Sequence, residues 1–179
     1  RLAAVLRLIA ANQSGELVKA RIAQEAALSA ASVTGYLDAL DRLYLTEDLH
    51  PWAVNLTARE IGRRKVRVGD SGLAAWLCGA SVGLLKDVVR GGKVFGALLE
   101  GFVVGELSAQ AGWAEVDYRL YHYRDRRGLE VDVIIELGDG RVIAVEVKSA
   151  AGLTGRHFAG LTDLKRKLGD RLAAGVVLA

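Results

Sequence analysis

The sequence predicts an α+β chain, within the broader α/β class: an N-terminal helical module, then a mixed sheet flanked by helices. Three observations lead there. Apolar residues recur at helical spacing over residues 2–11, 29–43 and 94–110. Short β-rich runs occupy 65–68, 119–124, 129–137 and 141–149. The second half of the chain reads helix, three strands, helix, strand, an order that builds one mixed sheet with helices against it.

Composition narrows the class. The chain has 179 residues, enough for one sizeable domain or two small ones, and its 51% hydrophobic content with mean hydropathy +0.23 suits a soluble globular protein. No run approaches the roughly 18 uninterrupted apolar residues that a membrane span needs. Arg1-Leu2-Ala3 leads into an amphipathic segment without a cleavage site, so no signal peptide is expected. The single cysteine, Cys78, excludes an internal disulfide and fits a cytoplasmic origin. The absence of methionine points to a fragment of a longer protein. A net charge of +3 is too small to imply a nucleic-acid partner by itself. Residues 1–68 hold ten Lys/Arg against seven Asp/Glu, whereas 69–179 hold fourteen of each. The excess sits in one cluster, Arg59, Arg63, Arg64, Lys65 and Arg67.

Residues 2–11 read as a helix stopped by Asn12-Gln13-Ser14-Gly15, and Lys19–Ala26 as a short helix with Ile22 and Ala23 inward. Ser29 is a good N-cap for a helix to Leu43, whose Val33, Tyr36, Leu37, Leu40 and Leu43 share a face. With the extended Tyr44–Leu49, this is the order of a winged helix-turn-helix over 1–68, the wing spanning Leu45 to Val68. Its recognition helix would expose Ala31, Ser32, Asp38 and Asp41, and its only cation is Arg42. Specific base reading needs Arg, Lys, Asn or Gln, so DNA contact would be non-specific, through Arg63, Arg64, Lys65 and Arg67 on the backbone. Docking a protein is the competing role. Lys65–Val68 reads as a strand and Leu73–Leu77 as a short helix. Residues 69–93 form a glycine-punctuated connector, and a second domain would cover 94–179. Gly91-Gly92-Lys93 lacks the spacing of a phosphate loop.

In that second domain Phe95, Leu98, Leu99, Phe102, Val103 and Leu107 mark the buried stripe of a helix over 94–110. Glu106 falls on the stripe and Glu100 at its margin. Arg119–Arg124 is a strand. His122 has no second His or Cys nearby, which argues against zinc. A helix around Phe158–Leu168 and a strand Gly175–Leu178 close the chain. Between them lies the hairpin Leu129–Ser149, turning at Gly138-Asp139-Gly140. A three-residue loop puts Asp132 opposite Glu146 and Glu130 opposite Lys148; a two-residue loop puts Asp132 opposite Val147. The charge pattern favours the odd loop, since a one-residue slip exchanges the faces. Facing carboxylates repel, unless a hard cation such as Mg²⁺ or Mn²⁺ lies between them. The alternative is a solvated face, with Val131, Val133, Ile135, Ile143, Val145 and Val147 as the core.

A helical acid, then Asp132, then Glu146-Val147-Lys148 after 13 intervening residues resembles the PD-(D/E)xK nuclease superfamily. Gly96-x-x-x-Glu100 is similar to the helix motif of its resolvase-like members, which ranks Glu100 over Glu106. More closely, KVRVGDSGLAAWLCG, FGALLEGFVVGEL, YHYRDRRGLEVDVIIE and IAVEVKS resemble the C-terminal domain of unknown function that follows an AAA+ ATPase module in many prokaryotic proteins. The resemblance implies a winged helix plus a restriction-endonuclease-like domain, with ATP bound only by a module N-terminal to Arg1. It further implies Mg²⁺ or Mn²⁺ on Asp132, Glu146 and Glu100 (or Glu106), with Lys148 orienting water or oxyanion in DNA phosphodiester hydrolysis. Glu130 is extra to that motif. The competing expectation is a non-catalytic docking module for DNA or protein on the same scaffold.

Overall fold

The structure is a computed structural model that describes residues 1–55, 57, 59, 62–150 and 152–179. The chain forms two compact units, residues 1–48 with 64–102, and residues 49–63 with 103–179. It is an α+β protein with one three-stranded and one four-stranded sheet.

The first unit begins with α1 (Leu2–Ala11), β1 (Gly15–Glu16), α2 (Lys19–Glu25), α3 (Ala30–Arg42) and β2 (Thr46–Leu49). After β3 (Lys65–Val68) come α4 (Ser71–Leu77), α5 (Val82–Lys86) and the start of α6 (Val88–Gln110). The sheet order is β1-β3-β2, with β1 antiparallel to β3. Val5, Ile9, Val33, Leu37, Leu40, Val66, Val68 and Leu98 are buried together as its core. Ser29 caps α3 as expected, its hydroxyl accepting from Ser32 N at 3.1 Å. Leu43 departs from the expected stripe: it is the C-cap residue, where the helix ends, and is 59% exposed. The helix expected from Val94 starts instead at Val88, because the Asp87 carboxylate accepts from Val89 N at 3.0 Å and Arg90 N at 3.1 Å. Gly91 and Gly92 therefore lie inside a helix rather than in a connector.

Of the expected wing, residues 56, 58, 60 and 61 lie outside the described residues. Residues 50–52 belong to the second unit and run beside its first strand, with Pro51 bridging His122 in parallel. His122 N donates to His50 O at 2.9 Å and Trp52 N to His122 O at 2.6 Å. This strip covers what would otherwise be a bare sheet edge.

The second unit is built on β4 (Tyr118–Arg124), β5 (Glu130–Leu137), β6 (Val142–Val147), α7 (Ala159–Leu168) and β7 (Leu172–Leu178). The sheet order is β4-β5-β6-β7. The first two pairings are antiparallel and β6–β7 is parallel, so α7 serves as the crossover that a parallel pair requires. Glu136 pairs with Val142 and Val133 with Val145, which is the register of the three-residue loop. Gly140 takes φ +81°, the left-handed residue that ends such a loop.

The face expected to be solvated is instead core. Ile134, Val142 and Ala144 are fully buried with Leu161 and Leu164 of α7 and with Trp52. The opposite face is buried too, at Val133, Val145 and Val147, so both faces of the central strands are covered. Strict alternation also fails between β4 and β5. Between Tyr121↔Ile134 and Tyr123↔Val131 the β4–β5 register shifts by one, so Asp132 and Val133 together oppose His122. That bulge brings Val131 and Ile134 into the same core cluster, although strict alternation puts them on opposite faces.

The crossover helix lies unusually close to β5. A Cβ on Gly160 would stand 2.4 Å from Glu130 O and 2.9 Å from Val131 Cγ2. Gly160→Ala should therefore push α7 off the strand and lower stability by roughly 1–3 kcal/mol, read as a shift in the urea midpoint. An unchanged midpoint would show that the helix shifts freely. Among the described residues no helix is long and apolar enough to cross a membrane.

Candidate functional site

The bulge, the hairpin register and the end of β6 converge on three side chains. The β5–β6 pairing ends at Val133↔Val145, and one step on the Asp132 side chain replaces the main chain as acceptor: its Oδ2 takes the Val147 N–H at 2.8 Å. Lys148 Nζ lies 2.6 Å from Glu146 Oε1 and 3.4 Å from Asp132 Oδ2, so one ammonium bridges both carboxylates. Asp132 is 7% exposed and Glu146 9%. Two carboxylates at this depth are costly unless a cation accompanies them.

Electrostatics follow the geometry. Burial pushes the Glu146 carboxyl above its ordinary value, the Asp132 charge adds to this, and Lys148 opposes both. For Lys148, burial lowers the pKa, but the hydrogen bond to Glu146 and the charges of Asp132 and Glu146 outweigh it and raise it overall. One atom is left over: Glu146 Oε2 is buried and has no hydrogen-bond partner among the described residues. Buried acceptors without partners are rare enough to need a reason. A divalent cation fits the observation, since Mg²⁺ is held by one or two carboxylates together with waters and substrate phosphate.

The other expected residues stand elsewhere. Glu100 is on the first unit's part of α6 and takes Lys65 Nζ at 2.7 Å, both side chains largely buried. Glu106 is exposed: of the anticipated stripe α6 buries Leu98, leaves Leu99, Val103 and Leu107 half-buried and exposes Phe95 and Phe102 at 39% and 49%, while Val104, outside the stripe, is buried. Among the described residues no three of His, Cys, Asp and Glu converge on one point. Glu130 pairs with Arg124 at 2.8 Å rather than with Lys148. His122 is buried, its Nε2 at 3.0 Å from Arg63 O. The basic cluster is matched by distant acids: Arg59 with Glu136 and Arg64 with Asp48, each at 2.7 Å, Lys65 with Glu100, and Arg67 with Glu47. Lys65 and Arg67 are 7% and 4% exposed, and Arg63 is exposed.

Two clusters escaped sequence reading. Asp163 on α7 is buried and receives Arg127 at 3.0 Å, Lys167 at 2.6 Å and Arg166. Lys167 also reaches Asp125 at 3.2 Å and Tyr123 Oη at 2.8 Å. The Lys167 hydrogen bond, with help from Arg127, holds the Asp163 carboxyl below its ordinary range against the effect of burial. The second cluster is Arg59, in a fork on Glu136 between the rings of Trp52 and Tyr121. The Asp163–Lys167 spacing of four was visible in sequence; the partners across 36 to 84 positions were not.

Residues 95–179, which contain this site and the strands that carry it, match the family model described as Domain of unknown function (DUF4143). This stretch is similar to DUF4143 domains. Residues 1–83 match a second model, Domain of unknown function (DUF8612). An uncharacterized protein of Mycobacterium bovis and one of Mycobacterium tuberculosis are each 30% identical to the chain over 158 residues. Each match covers 87% of this chain and 34% of the relative, so the chain spans about a third of their length. No solved structure matches. Asp132, Glu146 and Lys148 all lie in the DUF4143-like stretch, as does the Asp163 cluster.

Proposed function

We propose that the DUF4143-like domain is a PD-(D/E)xK-type phosphodiesterase that acts on DNA with Mg²⁺ or Mn²⁺ held by Asp132 and Glu146. The observation that carries this is the buried, unpartnered Glu146 Oε2 beside Asp132, with Lys148 across both carboxylates. The element order helix–β–β–β–helix–β, with the last strand parallel to its neighbour, supports the same reading. When bound, the ion would lower the pKa of a water and stabilise charge on the phosphate. The protein groups have separate tasks. Val147 N–H fixes the Asp132 carboxylate, and Lys148 presents its ammonium to a phosphate oxygen. The rest of the proposal concerns context: the first unit serves as a winged helix, and ATP binds to an AAA+ module elsewhere in the protein. A family often found C-terminal to AAA ATPase domains in prokaryotes supports that arrangement.

The test is Mg²⁺- or Mn²⁺-dependent nicking of supercoiled and branched DNA. Asp132→Asn and Lys148→Ala should each slow it by about a hundredfold or more. Cleavage that survives in both variants sinks the proposal. One observation favours a second reading, a docking module without catalysis: Glu100 is engaged by Lys65, which leaves two carboxylates at the site. That reading predicts no heat of Mg²⁺ or Mn²⁺ binding in calorimetry and no cleavage of any DNA.

A further inference from the structure

Besides the cluster at 59–67, a second concentration of positive charge lies in the second unit. Residues 123–130 and 156–171 carry eight Lys/Arg against Asp125, Glu130, Asp163 and Asp170, an excess of four, while the whole chain carries +3. The remainder is thus slightly acidic. These two stretches are the β4–β5 loop and the helix α7 with its flanks, and they are joined through Arg127–Asp163 at 3.0 Å and Lys167–Asp125 at 3.2 Å. Their cations are held outward. Arg127 and Arg166 both contact the buried Asp163, yet their side chains are 63% and 71% exposed. A buried aspartate that orders exposed guanidinium groups reduces the entropy lost when they meet an anion. Arg126, Arg156 and Lys165, in the same two stretches, are exposed. Beside it runs an open groove of about 580 Å³, lined by Phe158, Thr162, Lys165 and Arg166 between α7 and β7. The close approach at Gly160 sets the start of α7 on Glu130 and Val131, directly beside Asp132.

We propose that the β4–β5 loop and the outer side of α7 form the nucleic-acid docking surface of this unit, with Arg126, Arg156 and Lys165 as phosphate contacts. The choice of ligand rests on the phosphodiesterase reading; the charge distribution and the anchored arginines do not. A repeated anion is what several ordered cations along one face match, and release of counterions makes such binding steeply salt-dependent. In the cluster at 59–67, by contrast, Arg59, Arg64, Lys65 and Arg67 are paired with acids of the same chain.

The test uses the 179-residue chain and a fluorescent 20-base-pair duplex, with EDTA present so that nothing is cut, at several salt concentrations. Arg126→Glu/Arg156→Glu/Lys165→Glu should weaken binding at least tenfold and reduce the salt slope by about two to three. Arg63→Glu should leave affinity within twofold. If the triple variant melts early, Arg126→Gln and Lys165→Gln measured singly should each lower the slope by about one. Unchanged affinity in the reversed variant overturns the inference, as does salt-insensitive binding or binding to anionic vesicles but not to duplex. Binding that follows these rules without any cleavage overturns the phosphodiesterase reading alone.

Discussion

Lys148→Ala is expected to lose roughly 1–3 kcal/mol of stability at pH 8 and markedly less at pH 5. The lysine is the only cation that touches both Asp132 and Glu146 among the described contacts. Breaking a fully buried pair costs about 3–5 kcal/mol; Lys148 is 27% exposed, so water can compensate in part. The pH dependence follows from Glu146. Burial first, and Asp132 next, raise its pKa, so the fold favours its protonated form. That contribution is fully present below the ordinary glutamate value of 4.5 and is lost as pH rises through the raised one. Lys148 limits the loss. Without it the pKa of Glu146 rises further, and the deficit opens as the pH climbs past 4.5. Urea unfolding of both proteins at pH 5 and pH 8 measures this. Lys148→Ala with Glu146→Gln should regain part of the loss at pH 8, because one of the two stranded charges is gone. An equal deficit at both pH values would mean that Lys148 acts through its packing rather than its charge.

The core of that site was legible because it is local. Asp132 and Glu146 are separated by 13 intervening residues across one short turn, and the turn type fixes the register. Charge patterning sufficed to choose the three-residue loop, and the pairing Val133↔Val145 agrees with it. Periodicity likewise located most elements to within a residue or two, including α1 over Leu2–Ala11 and β3 over Lys65–Val68. What periodicity could not supply was the bulge at Asp132–Val133. It arises from the partner strand's register at His122, where the 50–52 strip attaches. The solvated-face reading failed for a related reason. Alternation tells which residues share a face, but the helix that covers a face comes from elsewhere in the chain, here Leu161 and Leu164.

The basic cluster at 59–67 shows the same limit in electrostatic form. Five cations in nine positions look like a phosphate-binding patch. Four of them pair with Glu136, Asp48, Glu100 and Glu47, between 16 and 77 positions away, and only folding brings them together. The converse holds at α7. Lys165-Arg166-Lys167 is unremarkable in a helix, and its excess charge becomes apparent only when the loop at Arg126-Arg127 joins it. The α6 stripe held at Leu98 and not at Phe95 and Phe102; residues up to 102 serve one unit and those from 103 the other, so no single face is buried throughout.

Arg59→Ala should have the largest effect on stability in the second unit, about 2–4 kcal/mol at pH 7. Its guanidinium makes two 2.7 Å bonds to Glu136, whose Oε1 also accepts from Trp52 Nε1 at 3.0 Å. It lies 5.4 Å from the Trp52 ring centre and 5.0 Å from that of Tyr121. With side chains only 11% and 17% exposed, losing Arg59 strands Glu136 and frees the 50–52 strip from the sheet edge. The Arg59 hydrogen bond holds the pKa of Glu136 below its ordinary value of 4.5, so the pair stabilises above that value and fades as pH falls through the lowered one. Arg59→Lys should recover less than half of the loss, since an ammonium provides neither the fork nor the flat face between two rings. Tryptophan fluorescence reads the outcome directly. Trp76 and Trp113 are 76% and 73% exposed, whereas Trp52 is 4% exposed, so the acrylamide-resistant part of the emission belongs to Trp52. In Arg59→Ala that part should become quenchable while the protein is still folded by circular dichroism. If it stays shielded, the strip is held by its main-chain bonds to His122 and by the burial of Trp52, and Arg59 is dispensable.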